Sequence, residues 1–263
     1  MKINLVIQSI AKAFMLALLI ICASCHKEDT TSANPTVPGE NLGIKGDFKI
    51  NFNGKFGTDS FISVKAYNYQ GVQKVMFSKL TFYITGISLL GDKIVESDKV
   101  ALIDLGSPNA ASKNISLTEL PSGHYTGISF TLGVIPALNK KNPADFPSSN
   151  PLSLTSYYWD DWESYLFTVI QGSTDVQGKG QFNSYFAILT GANDAAKKLE
   201  FKKDITIKEG TPFHLDLDVD VLGFFKEGNT YYDLVNDPLS HNPGDIPALA
   251  RFAGQMAKAF TMK

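Results

Sequence analysis

Apolar and polar residues alternate one by one over much of the chain after residue 44, which is typical of half-buried β-strands. In residues 47–53, for example, Phe48, Ile50 and Phe52 fall on one side, and lysine and asparagine fall on the other. Comparable runs, separated by Gly, Pro, Asn and Asp, are predicted as strands at 61–68, 75–90, 99–106, 124–134, 164–172, 183–191, 199–208 and 213–225. Their spacing predicts an all-β fold, an antiparallel Greek-key β-sandwich.

One segment near the C-terminus has the period of a helix instead. Asp245 is a plausible N-cap, Pro247 falls in the first turn, and Arg251 and Lys258 lie off the apolar face. The apolar residues that recur at steps of three and four are Ile246, Leu249, Ala250, Ala253, Met256, Ala257 and Phe260. We therefore expect a C-terminal amphipathic helix over 245–260 that packs on the sandwich.

The N-terminus has the layout of a lipoprotein signal peptide. Residues 1–12 carry two lysines and no acidic side chain, and residues 13–24 are almost wholly apolar. This apolar run is shorter than the roughly 20 residues that a transmembrane helix needs. Ala23 and Ser24 are small and directly precede Cys25, which resembles a lipobox. We expect residues 1–24 to be removed and Cys25 to be lipidated.

The segment that follows is polar and rich in Pro, Ser and Thr, so residues 25–43 are predicted to be the lipidated cysteine and a flexible tether. No cysteine follows Cys25, which excludes a disulfide or a thiolate metal site in the mature chain. The basic and then acidic residues after Cys25 resemble the surface-export signal of some Bacteroidetes lipoproteins. The expected location is the bacterial outer membrane, facing the periplasm or the outside.

Composition limits the remaining function classes. The 24 basic and 26 acidic residues are mixed along the chain and give a net charge of −2, so there is no basic stripe for nucleic acid. A hydrophobic fraction of 44% suffices for one large core, and residues 44–263 are predicted to form a single domain. The chain has no nucleophile elbow, metalloprotease motif or phosphate-binding glycine loop, and we expect no enzymatic activity.

Residues 134–156 are too long for an ordinary turn and contain four prolines. Long loops often bind ligands, so this segment is a candidate binding edge, and a stiff surface excursion is the alternative.

Two clusters carry candidate chemistry. Near residue 160, aromatic rings and carboxylates occur together and could form a platform for a sugar ring, or the rings could belong to the core. The platform residues are Trp159, Trp162, Tyr165, Asp160 and Asp161.

The second cluster is the outward row of the strand at 213–225, where His214, Asp216, Asp218 and Asp220 alternate with apolar residues. Imidazole suits copper or zinc and carboxylates suit calcium, but neighbours in the row lie about 6.6 to 6.8 Å apart, too far for all four to bind one ion. The alternative is a solvated strand face. Two further histidines near the fold are metal-ligand candidates, His124 and His241.

Several motifs together resemble one known family. GISFTLGV at 127–134, the proline-rich loop, YYWDDWESYLFTVIQG at 157–172 and FAILTG at 186–191 follow the order and spacing of the methanobactin-associated copper-binding protein (MbnP-like) family. The segment at 240–260, with His241, resembles that family's closing His segment and helix. The resemblance implies a β-sandwich periplasmic or surface protein that binds copper, sometimes beside a dihaem peroxidase-like partner that oxidises a tryptophan.

The chain departs from this pattern at three places. Leu189 stands where the family has a histidine, Ser164 stands where it has a glycine, and the spacing from Trp159 to Trp162 is one residue longer. A main ligand is therefore missing. We carry two hypotheses forward: a membrane-anchored, non-catalytic, copper-related domain, and a surface glycan-binding or structural lipoprotein that has lost the metal ligands. The corresponding cofactor is copper, or else calcium or none.

Overall fold

The computed structural model describes residues 44–236 and 243–263, and all of them belong to one compact unit. The predicted signal peptide, Cys25, the tether and His241 lie outside the described residues. The strands within the described part are β1 Lys45–Phe56, β2 Asp59–Ser60, β3 Ala66–Asn68, β4 Lys74–Leu90, β5 Val95–Ser97, β6 Ala101–Asp104, β7 Asn114–Pro121, β8 Gly123–Leu132, β9 Tyr158–Trp159, β10 Ser164–Asp175, β11 Ser184–Gly191, β12 Lys197–Ile207, β13 Phe213–Asp220, β14 Lys226–Glu227, β15 Thr230–Tyr231 and β16 Phe260–Met262.

The α-helices of the same part are α1 Pro136–Asn139, α2 Val221–Phe224 and α3 Ile246–Lys258. Short 3₁₀ turns occur at Ala110–Lys113, Pro143–Asp145, Pro151–Ser153, Thr155–Tyr157, Asp160–Trp162, Asn193–Ala195 and Pro243–Asp245. Within the described residues, none of the helices has the length and apolar character required to cross a membrane.

The strands form two main sheets, which confirms the predicted all-β sandwich class. The first sheet has the order β16-β13-β1-β2, and β7 also pairs with β1. The second has the order β11-β10-β4-β8-β12, with β3, β5 and β6 on the other edge of β4 and β9 on β10. All pairs are antiparallel except β1 with β13, which run parallel. Residue alternation predicts a strand but not the direction of its partner, so this pair was not foreseen.

Strand β4 is bent, which lets it serve both halves of the second sheet. Its first half pairs with β10 and its second half with β8. The register shifts between Thr85 and Ser88, where Gly86 has a φ of +59° that glycine adopts without steric cost. Strand β8 therefore ends at Leu132, opposite Ile84 in the middle of β4, and the long segment that follows begins there.

The core lies between the two sheets and is rich in aromatic rings. Phe52 of β1 makes edge-to-face contacts with Phe82, Phe130 and Phe260, and these rings are at most 5% exposed. Phe48 and Ile50 are also buried, which confirms the alternation that predicted β1.

Two strand predictions are wrong in part. The run at 61–68 contributes only Ala66–Asn68, and Ile62 and Val64 are 57% and 65% exposed, so their apolar character does not mark a core face. The run at 213–225 ends as a strand at Asp220, because the Asp220 carboxylate accepts a hydrogen bond from Leu222 N (3.1 Å) and starts α2 there.

The C-terminal helix is confirmed as α3, which follows Asp245 and packs against β11, β12 and the 3₁₀ turn between them. Its buried residues are Leu249, Phe252, Ala253 and Met256. Phe252 was not part of the predicted face. Phe260 is buried as predicted but lies in β16, after the helix has ended.

Candidate functional site

The proline-rich segment 134–156 folds against the second sheet as an ordered layer. It contains α1 and three 3₁₀ turns, and the rings of Tyr83 and Tyr157 meet edge to face beneath it. The Tyr157 hydroxyl lies 2.9 Å from Thr81 Oγ1, and the Tyr83 hydroxyl donates to the Pro151 carbonyl at 2.8 Å. These contacts hold the segment in place over β4.

Asn139, at the end of α1, ties this segment to β10 and β11. The side chain is 5% exposed, and its Oδ1 accepts hydrogen bonds from Tyr165 N (2.9 Å) and from the Ser164 hydroxyl (3.0 Å). Its Nδ2 donates to Asn193 Oδ1 at 3.1 Å, and the Ser164 oxygen accepts from Ala192 N at 2.9 Å. Because a buried amide without partners is costly, this network fixes the relative positions of all three segments.

The predicted aromatic platform does not exist as such. Trp162 is 8% exposed and Tyr165 is fully buried, so neither ring face is free to stack on a ligand, and the core alternative holds for both. The Trp162 ring packs on Gly191, where an added Cβ would lie 2.7 Å from its Cε3 atom. Trp159 is half-buried with its ring centroid 6.2 Å from that of Trp162, whereas Asp160 is exposed.

Asp161, the fifth residue of that prediction, is also exposed. The predicted platform grouped five residues because they are close along the chain. In the structure, the strand that starts at Ser164 carries Tyr165 into the core, and the two aspartates stay exposed before it.

Tyr83, Tyr157, Tyr158 and Tyr165 form a cluster of four tyrosine rings. Tyr158 meets Tyr165 edge to face at 5.2 Å, and Tyr83 meets it at 6.2 Å. Burial, and then the nearby Tyr158 and Asp145, raise the pKa of Tyr165 to about 12. Among the described residues the Tyr165 hydroxyl has no hydrogen-bond partner, and the same holds for Trp162 Nε1. The Tyr165 phenol is therefore neutral at physiological pH.

A polar cleft opens beside this aromatic cluster, and we call it the loop cleft. Its volume is about 590 Å³. The lining side chains come from the end of α1 and the turn after it, from the β9–β10 connection and from the turn after β11. They are the amides Asn139, Asn142 and Asn193, the charged residues Lys140, Asp160 and Glu163, and Tyr158.

Glu163 stands at the rim of the loop cleft in a left-handed conformation, with φ 45° and ψ 44°. Its backbone N–H donates to the Asp160 carbonyl at 3.0 Å and closes the 3₁₀ turn. A residue with a Cβ loses roughly 1 kcal/mol in this region, and such strain tends to collect at functional sites.

Leu189, where the family resemblance leads us to expect a histidine, lies near the end of β11. It shares the outer face of β11 with Gly191, because residues two apart point to the same side of a strand. Trp162 covers Gly191, and Leu189 itself is 8% exposed. At this position the leucine side chain offers no donor atom to a metal.

The acidic row on β13 is occupied by bonds within the protein. Asp216 accepts a hydrogen bond from Asn51 Nδ2 (3.0 Å), and Asp218 forms an ion pair with Lys55. Asp220 accepts from Gly57 N (2.9 Å) and caps α2. The parallel register with β1 places Asn51 directly beside Asp216, whereas Lys55, which stands opposite Asp220, reaches diagonally to Asp218.

Two histidines of the metal prediction, His214 and His124, lie on different sheets. His214 is exposed on β13, beside Lys49 of β1. His124 is exposed at the start of β8, with its Nε2 3.6 Å from Asp204 Oδ1. In residues 44–236 and 243–263 no group of three or more His, Cys, Asp or Glu side chains could hold a metal ion.

Sequence reasoning missed most of the loop cleft. Asn139 and Asn193 lie in segments read as loop or strand end, and a single asparagine in such a place gives no signal of its role. The one available hint was the proline-rich segment, which was named as a candidate binding edge.

The fold has a counterpart among known proteins. A family model described as MbnP matches residues 45–242. The chain is similar in structure to MbnP from Methylosinus trichosporium, with a TM-score of 0.52, 14% sequence identity, and coverage of 79% of this chain and 88% of that one. At this identity the likeness shows the fold. No curated protein matches the chain.

Proposed function

This chain belongs to the MbnP family, and on that premise we propose that it is a non-catalytic, copper-associated envelope protein, held to the bacterial outer membrane by lipid on Cys25. The family match over residues 45–242 carries the proposal, since the family is associated with copper. The all-β fold shared with MbnP adds support for the domain type.

The residues at the family's motif positions do not fit a copper ion. Leu189 replaces the expected imidazole, and Ser164 is engaged with Asn139 and Ala192. The described part of the chain offers no group of three metal-binding side chains. Any copper bound by this member therefore needs other donors, and the candidates are His214 with Asp216, His124, and His241.

Metal titration of the full-length lipoprotein, purified in detergent, tests this proposal. Cu(I), Cu(II), Zn and Ca are each titrated and followed by calorimetry, with His241→Ala, His214→Ala and His124→Ala in parallel. We expect copper to bind with a dissociation constant below about 10 μM and to be weakened at least tenfold by loss of a ligand histidine. If no ion binds more tightly than about 10 μM, the metal proposal is wrong.

The lipid anchor has its own test. A signal peptide followed by Cys25 supports it, and acyl chains contribute roughly 0.8 kcal/mol per buried CH₂, so several chains make release negligible. Wild-type protein grown with labelled palmitate should carry the label and sediment with outer membranes, whereas Cys25→Ala should do neither. Protease treatment of intact cells then separates a surface location from a periplasmic one.

The partner that the family suggests is a dihaem peroxidase-like protein, and we propose it as the redox neighbour of this domain. Two tests apply to this idea. A gene for a dihaem peroxidase-like protein next to the gene for this chain would support it, and so would a haem-staining protein that is recovered together with the tagged chain. A neighbouring polysaccharide-uptake operon would instead favour the second candidate function, glycan binding. Two observations favour glycan binding: the presence of the loop cleft, and Leu189 in place of the histidine that the family resemblance leads us to expect.

A further inference from the structure

The loop cleft has the dimensions of a small-ligand site. Its volume of about 590 Å³ falls within the 300 to 1,000 Å³ usual for such pockets. Its lining is mostly polar, and three separate chain segments contribute to it.

The base of the cleft is pre-organised. Asn139 is 5% exposed and fully engaged through its oxygen, and its amide nitrogen fixes Asn193 at 3.1 Å. Because Asn193 accepts that bond through Oδ1, both N–H groups of its Nδ2 remain available to a ligand. Little side-chain freedom is lost when a ligand meets a group that is already held.

The rim supplies acceptors and an aromatic face. Asp160 and Glu163 are exposed carboxylates, and burial followed by these two charges raises the pKa of Tyr158. Asp160, Glu163 and Tyr158 line the same cleft. Tyr158 itself is half-buried, so one part of its ring borders the cleft.

The charges of the lining select the class of ligand. Lys140 contributes one positive charge against the two negative charges of Asp160 and Glu163, so an anionic ligand such as a phosphate or an acidic sugar is repelled. Amide donors beside carboxylate acceptors match hydroxyl groups, each of which can donate and accept. An aromatic ring beside them matches the C–H face of a sugar ring.

We propose that the loop cleft binds a neutral saccharide of one or two rings, held by Asn193, Asp160 and Glu163 against the ring of Tyr158. This inference deepens the glycan-binding candidate and does not depend on copper.

Calorimetry on the full-length protein in EDTA tests the inference without any contribution from metal. The neutral probes are maltose, cellobiose, xylobiose and N-acetylated chitobiose, and galacturonic acid and glucosamine are the charged comparators. At least one neutral probe should bind with a dissociation constant between about 10 μM and 1 mM.

Variants locate the binding. Asn193→Ala and Glu163→Gln should each weaken the best probe about fivefold, the usual effect of one lost hydrogen bond. The matched controls are Asn183→Ala and Glu200→Gln, exposed residues on the β10–β11 loop and on β12 that do not line the cleft. A single cooperative thermal unfolding transition shows that each variant is folded. The proposal is overturned if no neutral probe binds below about 1 mM, if a charged one binds best, or if the controls weaken binding as much as the cleft variants.

Discussion

Asn139→Ala is the substitution that most directly probes how the covering layer is held. It removes the acceptor of Tyr165 N, the acceptor of the Ser164 hydroxyl and the donor to Asn193. The buried Tyr165 N–H is left without a partner, which costs about 1–3 kcal/mol, and the lost bond to Asn193 adds about 0.5–1.5 kcal/mol. The Ser164 hydroxyl also contacts the Tyr165 carbonyl at 3.0 Å, so it adds little.

The expected loss is therefore about 2–4 kcal/mol of the free energy of unfolding, a large share of the 5–15 kcal/mol typical of a domain. Urea unfolding followed by far-UV circular dichroism measures it. Tryptophan fluorescence reports on the structure of this region, because the two tryptophans of the chain, Trp159 and Trp162, directly follow the proline-rich segment 134–156.

Asn193→Ala is the matched control for this experiment. It removes only the exposed end of the same network and should cost about 1 kcal/mol or less. If the two variants unfold within about 0.5 kcal/mol of each other, Asn139 does not hold the layer and the reasoning is refuted.

Three further predictions follow from the same geometry. Gly191→Ala places a Cβ 2.7 Å from the Trp162 ring, so it should cost about 1–3 kcal/mol and shift the tryptophan emission, and an unchanged spectrum would contradict the packing. Burial alone would raise the pKa of Asp175, but hydrogen bonds from the backbone N–H groups of 177–180 lower it. The stability that the ionised Asp175 contributes should therefore be full above about pH 3.9 and be lost as pH falls through the lowered pKa. Asp175→Asn should remove this acid dependence from urea unfolding. Leu189→His introduces the imidazole that the family resemblance leads us to expect and should tighten copper binding at least tenfold over wild type in the same titration. An unchanged affinity would show that this position is not a latent site.

The sequence predicted the parts of the fold that depend on local alternation and failed where distant segments meet. Phe48, Ile50 and Phe52 marked β1 correctly because one side of that strand faces the core. The same rule failed for Ile62 and Val64, whose side chains are exposed in a loop. Alternation also gave no means of predicting the parallel pairing of β1 with β13.

The candidate site was predictable only in outline. The proline-rich segment was recognised as unusual, but the role of Asn139 depends on a hydrogen bond to a residue 26 positions away. The outward row at Asp216 was correctly placed on a strand face, yet its partners are on β1, more than 160 residues earlier. Chemistry that depends on such long-range pairs cannot be read from spacing along the chain.

The central claim is that this MbnP-family protein is associated with copper, and metal content measures that most directly. The tagged protein is purified from membranes of cells grown with copper, and its copper is quantified by elemental analysis beside His214→Ala and His241→Ala. The account predicts about one copper per wild-type chain and a clear loss in at least one variant. Wild-type protein without copper that also fails to bind added copper below about 10 μM would contradict it.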